Sequence, residues 1–214
     1  MPSASKPNTR DGAPPSGEGA VVVLGSASAR RHQVLRDLGI PFEVAVADVP
    51  EMLDPADPVA TAAANARRKF DALRVRFPDR WLLTADTVVF IGGRVLGKPA
   101  DFEDGVRMLL SYSGAVQLVV TAMVFAAPGG PPEPREVVSS LRFRKITEEE
   151  ARDYLRRHGT TDRAGAYDLE SFRVAVEAIS GSASNIRGLP RDVVADWFGA
   201  HAGGLPKRPP TEAP

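Results

Sequence analysis

Two long runs of β-type residues, 117–126 and 135–146, lie on either side of Pro-Gly-Gly-Pro-Pro-Glu-Pro at 128–134. Both exceed the usual strand of about five or six residues, and a Gly/Pro-rich connection of this kind predicts a long antiparallel hairpin. The segments around it alternate between strand and helix patterns. Residues 21–24 are a short β-branched run, followed by 29–38 with Val34, Leu35 and Leu38 at helical spacing and a stop at Gly39. Residues 42–46 read as a second strand. Asp57-Pro58 supplies a helix N-cap with Pro at the first helical position, and the helix it opens runs to about Phe77, with Ala62, Ala66, Phe70 and Leu73 on one face.

Further along, 81–85 and 88–91 are strand-like, and Gly92-Gly93 turns the chain into 94–96. Asp101 caps a helix carrying Val106 and Leu109, and Thr147 to Glu150 forms a capping box for a helix with Ala151, Tyr154 and Leu155 inward, closed by Gly159. Residues 172–178 are strand-like, and Pro190 starts a last helix. Strands alternating with helices, plus one long hairpin, predict an α/β fold with a mixed twisted β-sheet and flanking helices.

Half of the Gly and Pro residues fall in three short places, 1–20, 128–134 and 203–214. The expected organisation is therefore a disordered N-terminal extension over 1–19, one globular domain over 20–202 and a disordered tail over 203–214. With no Cys, a disulfide framework, a Cys-ligated metal site and a thiolate nucleophile are excluded. Lys and Arg number 27 against 27 Asp and Glu, so the basic footprint of a general nucleic-acid binder is absent. The longest apolar stretch, 118–127, is about half of the roughly 20 residues that span a bilayer. These features point to a soluble cytoplasmic protein with no nucleic-acid or membrane partner.

Four segments carry candidate chemistry. In Gly25-Ser-Ala-Ser-Ala-Arg-Arg31 a strand turns into a helix, and Ser26, Arg30 and Arg31 at a helix N-terminus suit an oxyanion; the plainer alternative is an N-cap at Ser28 with solvated arginines. Asp86 and Thr87 interrupt an apolar strand pair. A carboxylate there must be paired, metal-bound or protonated, which makes Asp86 the best catalytic candidate, with a structural salt bridge as the alternative. Lys98, between Gly97 and Pro99, is a phosphate ligand or a surface lysine, and Lys69 by itself reads as a solvated helix residue. The loop from Thr161 to Glu170 has the small core Ala164-Gly165-Ala166, which would let a flat ligand approach the backbone, with Tyr167 packing against that ligand or against the core; a purely structural loop is the alternative. His32, His158 and His201 are far apart in sequence and do not form a metal-ligand pattern.

The motifs resemble those of the Maf family of nucleotide pyrophosphatases over nearly all of 20–198. The matching blocks, in order, begin with Leu24-Gly-Ser-Ala-Ser-Ala-Arg-Arg31, Phe42-Glu43 with Glu51 downstream, and Ala66-x-x-Lys69. Next come Ala85-Asp86-Thr87-Val88-Val89, Gly93-x-Val-Leu-Gly-Lys-Pro99, and Ser113-Gly114 with Thr121. Phe143-Arg144, Ala164-Gly165-Ala166-Tyr167 and Asn185 before Gly188-Leu189-Pro190 complete the set. The resemblance implies a Maf/ITPase-like fold and hydrolysis of a nucleoside triphosphate to the monophosphate and pyrophosphate. It also implies a divalent cation, Mg2+ or Mn2+, held by Glu51 and Asp86, a cytoplasmic location, a homodimer in many members and a link to cell-division arrest. By the same likeness Asp86 accepts the proton of the attacking water, Ser26, Arg31, Lys69 and Lys98 meet phosphate oxygens, and Arg30, Thr87 and Glu170 sort the base.

The sequence departs from the family pattern at several points. Ala29 replaces a Pro, Gln117 stands where many relatives have His, and Arg68 stands where an acid often precedes the Lys. Tyr167-Asp-Leu-Glu170-Ser171 replaces the Tyr-Gly-Ile-Gln-Gly of the dTTP/UTP-preferring branch. Arg30 and Thr87 follow that branch, whereas Glu170 resembles the branch acting on 7-methyl-GTP. The expected activity is dTTP/UTP pyrophosphatase, with a 7-methyl-GTP-directed or broad-specificity enzyme, or a non-catalytic nucleotide-binding regulator, as alternatives.

Overall fold

The middle of the sheet is a single strand, β3 (Leu82–Ile91), where the sequence suggests two. Asp86 and Thr87 break the apolar pattern but not the ladder, because they pair with Ala122 and Thr121 of the next strand in unbroken register. The computed structural model describes residues 21–201 apart from Leu53, Pro55, Ala56, 160–163 and the side chain of Ala164. The two expected disordered extensions and the residues Thr161, Asp162 and Arg163 lie outside the described residues.

Seven strands form one sheet of order β2-β1-β3-β5-β6-β7, with β4 also on β3. β1 (Val22–Gly25) runs parallel to β2 (Phe42–Val44) and to β3, with α1 (Ala29–Asp37) as the crossover between β1 and β2. β5 (Val116–Ala126) and β6 (Glu133–Phe143) are the long hairpin, and β7 (Val176–Ser180) closes the far edge. The sheet is thus mixed, as expected. Among the described residues no helix is long and apolar enough to cross a membrane.

One edge of β3 has two different partners. Thr84 lies opposite Gly25 at the end of β1, and Val89 lies opposite Leu96 of β4 (Arg94–Leu96). Between them, residues 85–88 have no strand partner on that edge, and this window contains Asp86 and Thr87. The pleat sends the two side chains to opposite faces. Asp86 shares its face with Thr84, whose hydroxyl donates to Ala66 O of α2 (Pro58–Arg76), while Thr87 points away from α2.

Three clusters fill the core. Ala62, Ala66, Phe70 and Leu73 of α2 cover Val23, Leu82 and Val120 on one face. On the other face α1 and α6 (Arg191–His201) pack Leu35, Val194, Trp197 and Phe198 around Leu83 and Phe125. Beyond them α3 (Phe102–Ser111) and α4 (Glu148–His158) bring Leu109, Tyr154 and Leu155 to Leu141 and Phe143. The caps form as the sequence predicts: Asp57 accepts from the N–H groups of Val59 and Ala60, Asp101 from that of Asp104, and Thr147 with Glu150 makes the reciprocal box.

Two elements differ from expectation. Residues 173–175 form a 3-10 turn, and pairing begins only at Val176. Phe172 N–H donates to Asp168 O, and Ala175 O accepts from Arg144 N–H, so the chain coils before it reaches the sheet edge. A short helix, α5 (Ala183–Ile186), capped by Ser182, has no counterpart in the periodicity. Gly25 permits the tight approach that ends β1: a Cβ there would sit 2.6 Å from Thr84 Cγ2 and 2.7 Å from Leu73 Cδ1.

Candidate active site

The window in β3 opens onto a cleft of about 740 Å³. Its wall includes the β1–α1 turn from Gly25 to Arg31, together with Glu51, Lys69, Asp86, Thr87, Lys98, Asp168 and Arg187. Every site residue expected from the sequence lines it except Glu170. A concave site that gathers lysines and arginines with two acids at the unpaired edge of a strand is suited to an anionic ligand.

Asp86 is 6% exposed and fully engaged. Lys69 Nζ donates to its Oδ1 at 2.6 Å and to Glu51 Oε1 at 2.7 Å, so one ammonium bridges two carboxylates. Asn65 Nδ2 donates to Asp86 Oδ2 at 3.1 Å. Lys69, read as a solvated residue on helix pattern alone, turns its 13% exposed side chain into the cleft. It can do so because residues 65 and 69, one turn apart, share the face of α2 that lies over β3.

Arg31 is buried and its guanidinium is largely used by the protein. Nε donates to Gly188 O at 2.8 Å, Nη1 to Ser26 Oγ and Ala85 O at 2.9 Å each, and Nη2 to Thr87 Oγ1 at 2.8 Å. The Ala85 carbonyl lies in the unpaired window of β3, so Arg31 supplies the donor that a strand would otherwise provide. Burial pushes the guanidinium below its ordinary value and Arg30 adds to this, while Asp86 and Glu51 oppose it; an arginine stays cationic there. One Nη2 N–H remains for a ligand. Ser26 Oγ accepts from Arg31 and, at 3.3 Å, from Ser28 N–H, which leaves its own O–H to donate. Ser28 makes no side-chain cap, and α1 has no acid in its first turn.

The other cations are freer. Lys98 is exposed, and its Nζ has no partner among the described residues. Arg30 lies 3.8 Å from Asp168, with 43% of its side chain exposed. Glu170 pairs with Arg187 at 2.8 Å, so that Arg187, not Glu170, faces the cleft.

The expected access of a flat ligand to Gly165 and Ala166 is not what the structure has. A Cβ at Gly165, where φ is +79°, would sit 2.6 Å from Tyr112 Oη, and Ala166 is fully buried. These small residues serve core packing. Tyr167 does both jobs: its hydroxyl donates to Gln117 Oε1 at 2.7 Å, its ring packs on Tyr112 and Phe143, and it also lines the cleft. Asn65 and Arg187 are absent from the sequence-based set. An Asn on the otherwise apolar face of Ala62, Ala66 and Phe70 was the available signal for the first.

Among the described residues no three His, Cys, Asp or Glu side chains gather as a ligand cluster. Glu51 and Asp86, joined through Lys69, are the two carboxylates that meet in the cleft.

A mixed sheet with a carboxylate–lysine pair in the cleft beside the unpaired window of its central strand is the layout of an α/β protein with a polar ligand site. The model of the Maf-like protein family matches residues 21–200, and the chain belongs to that family. A dTTP/UTP pyrophosphatase of Deinococcus radiodurans is 36% identical over 174 residues, covering 81% of this chain and 89% of that protein. One of Aquifex aeolicus is 37% identical over 170 residues, covering 79% of this chain and 89% of that protein. Among solved structures, a HAM1 protein from Coxiella burnetii is similar with a TM-score of 0.47 at 16% identity, over 85% of this chain and 100% of that one.

Proposed function

We propose that the protein hydrolyses nucleoside triphosphates of the dTTP/UTP type to the monophosphate and pyrophosphate, by attack of water on the α-phosphorus. The observation that carries the reading is Asp86, a buried carboxylate in a polar cleft, held between an amide and a lysine. Lys69 bridges Asp86 and Glu51 and offsets the charge of one of the two carboxylates. A triphosphate offers that ammonium a denser charge, and as Lys69 turns to it, Asp86 Oδ1 becomes free to take a proton from water. Lys98, Arg30, the Ser26 hydroxyl and the remaining Arg31 N–H are the other groups available to phosphate oxygens.

The donor set fits a hard divalent cation, Mg2+ or Mn2+, since two carboxylates leave most positions to phosphate and water oxygens. Glu51 and Asp86 would hold it, and when bound it neutralises triphosphate charge and orients the chain.

The dTTP/UTP pyrophosphatases among the relatives support a pyrimidine triphosphate, as do Arg30 and Thr87. Glu170 taken alone favours a guanine edge, because a carboxylate accepts hydrogen bonds and donates none. The ion pair with Arg187 changes what that position presents: guanidinium N–H groups lie beside the carboxylate and can meet the carbonyls of thymine or uracil.

Asp86→Asn keeps the size of the side chain and removes its basicity. Turnover should fall at least about 100-fold while triphosphate still binds. Retention of more than about a third of wild-type turnover would remove Asp86 from the mechanism.

A further inference from the structure

Asn65 is 2% exposed on a helix face that otherwise buries Ala62, Ala66, Phe70 and Leu73. A carboxamide is costly there unless its polar atoms are paired, and all of them are. Oδ1 accepts from Met52 N–H at 2.8 Å, and Nδ2 donates to Met52 O at 2.9 Å and to Asp86 Oδ2 at 3.1 Å. The two bonds to the Met52 backbone fix which end of the amide is oxygen, so the group facing Asp86 is a donor.

The same face of α2 repeats the device. One turn earlier, Thr61 Oγ1 accepts from Asp54 N–H at 3.2 Å and donates to Asp54 O at 3.0 Å. One turn later, Lys69 reaches Glu51 and Asp86. Thr61, Asn65 and Lys69 thus hold Asp54, Met52 and Glu51 against the helix. Asn65 differs from Thr61 in touching the Asp86 carboxylate as well.

We infer that Asn65 is a positioning residue for the reaction. It ties down Asp86 Oδ2, so that Oδ1 keeps its aim into the cleft after Lys69 turns to the phosphates, and it fixes Glu51 in register with that carboxylate. The inference rests on the reading of Asp86 as proton acceptor. Without the amide, the carboxylate is free to rotate about χ1 and χ2 at the step when its direction matters, and misaimed catalytic groups lose rate more than binding.

The test is a double-mutant cycle on the full chain with dTTP and Mg2+. Asn65→Leu, similar in size but apolar, should lower kcat about 10-fold with KM for dTTP changed less than about twofold. In the Asp86→Asn background the same substitution should lower kcat by less than about twofold, because the group it positions is already disabled. A purely structural role predicts the same fold loss in both backgrounds, and that result, or a loss confined to KM, would overturn the inference while leaving Asp86 in place. An active Asp86→Asn variant would instead overturn the reading beneath it. If Asn65→Leu does not fold by circular dichroism, Asn65→Ser carries the same cycle with the same criteria.

Discussion

Arg31 and Lys98 are paired by sequence as phosphate ligands, and their surroundings divide them. Arg31 joins Ser26, Ala85, Thr87 and Gly188, so its removal leaves the buried Ala85 carbonyl without a donor and Gly188 O with the Thr87 hydroxyl alone. Such an orphan costs roughly 1–3 kcal/mol, and Arg31→Ala should lower unfolding free energy by about 1–3 kcal/mol in urea titration. Lys98 makes no side-chain hydrogen bond or ion pair among the described residues. Lys98→Ala should therefore change stability by less than about 0.5 kcal/mol and act on kcat/KM for the triphosphate. Equal stability losses in the two variants would contradict this division. The residue types at 26, 30, 31, 51, 69, 86, 87 and 98 are legible because their motifs stand in order along the chain. What Arg31 does with its charge is not, because the partners Gly188 and Ala85 are remote backbone carbonyls that no side-chain pattern reveals. Asn65 was hidden for a related reason: a lone amide among helix alanines gains meaning only once Met52 and Asp86 are known to meet it.

At the scale of elements, α4 shows how far local chemistry specifies structure. Its capping box was readable from Thr147 and Glu150, and the structure adds Arg144, whose guanidinium forks onto Glu150 at 2.8 and 3.1 Å. That guanidinium first, and the Thr147 N–H after it, hold the Glu150 carboxyl down to about 2 from an ordinary value of 4.5. A lowered carboxyl stabilises the folded state above its unfolded value and stops doing so as pH falls through the folded one. Glu150→Gln can still cap, so it isolates the charge. Its Tm should lie below that of wild type at pH 7 by no more than about 4 °C, since exposed pairs contribute little. The gap should shrink between pH 4.5 and 2; a gap independent of pH in thermal melts would contradict the assignment. Where sequence and structure part, tertiary pairing decided at β3 and local turns decided at 172–175. β3 stays whole through Asp86 because β5 continues beside it, and 172–175 coils because the Phe172 and Ala175 N–H groups donate back to Asp168 O and Phe172 O.

Across the whole molecule, the site follows from topology. β3 is paired on one edge first by β1 and then by β4, and the gap between them gives Asp86 access to the cleft while α2 covers its other side. The pleat divides the work, with Asp86 on the face of Asn65 and Lys69, and Thr87 on the face of Arg31, Thr121 and Gly188. That arrangement puts a buried carboxylate in one cleft with Arg30, Arg31, Lys69 and Lys98, and the proposed reaction uses the carboxylate as the base and the cations as phosphate ligands. Hydrolysis of dTTP in oxygen-18 water reads the position of the attack by water. Attack on the α-phosphorus gives one pyrophosphate per monophosphate, with the heavy oxygen in the monophosphate by mass spectrometry. Label in pyrophosphate, or release of orthophosphate with a diphosphate, would place the attack on the β- or γ-phosphorus and contradict the proposed reaction.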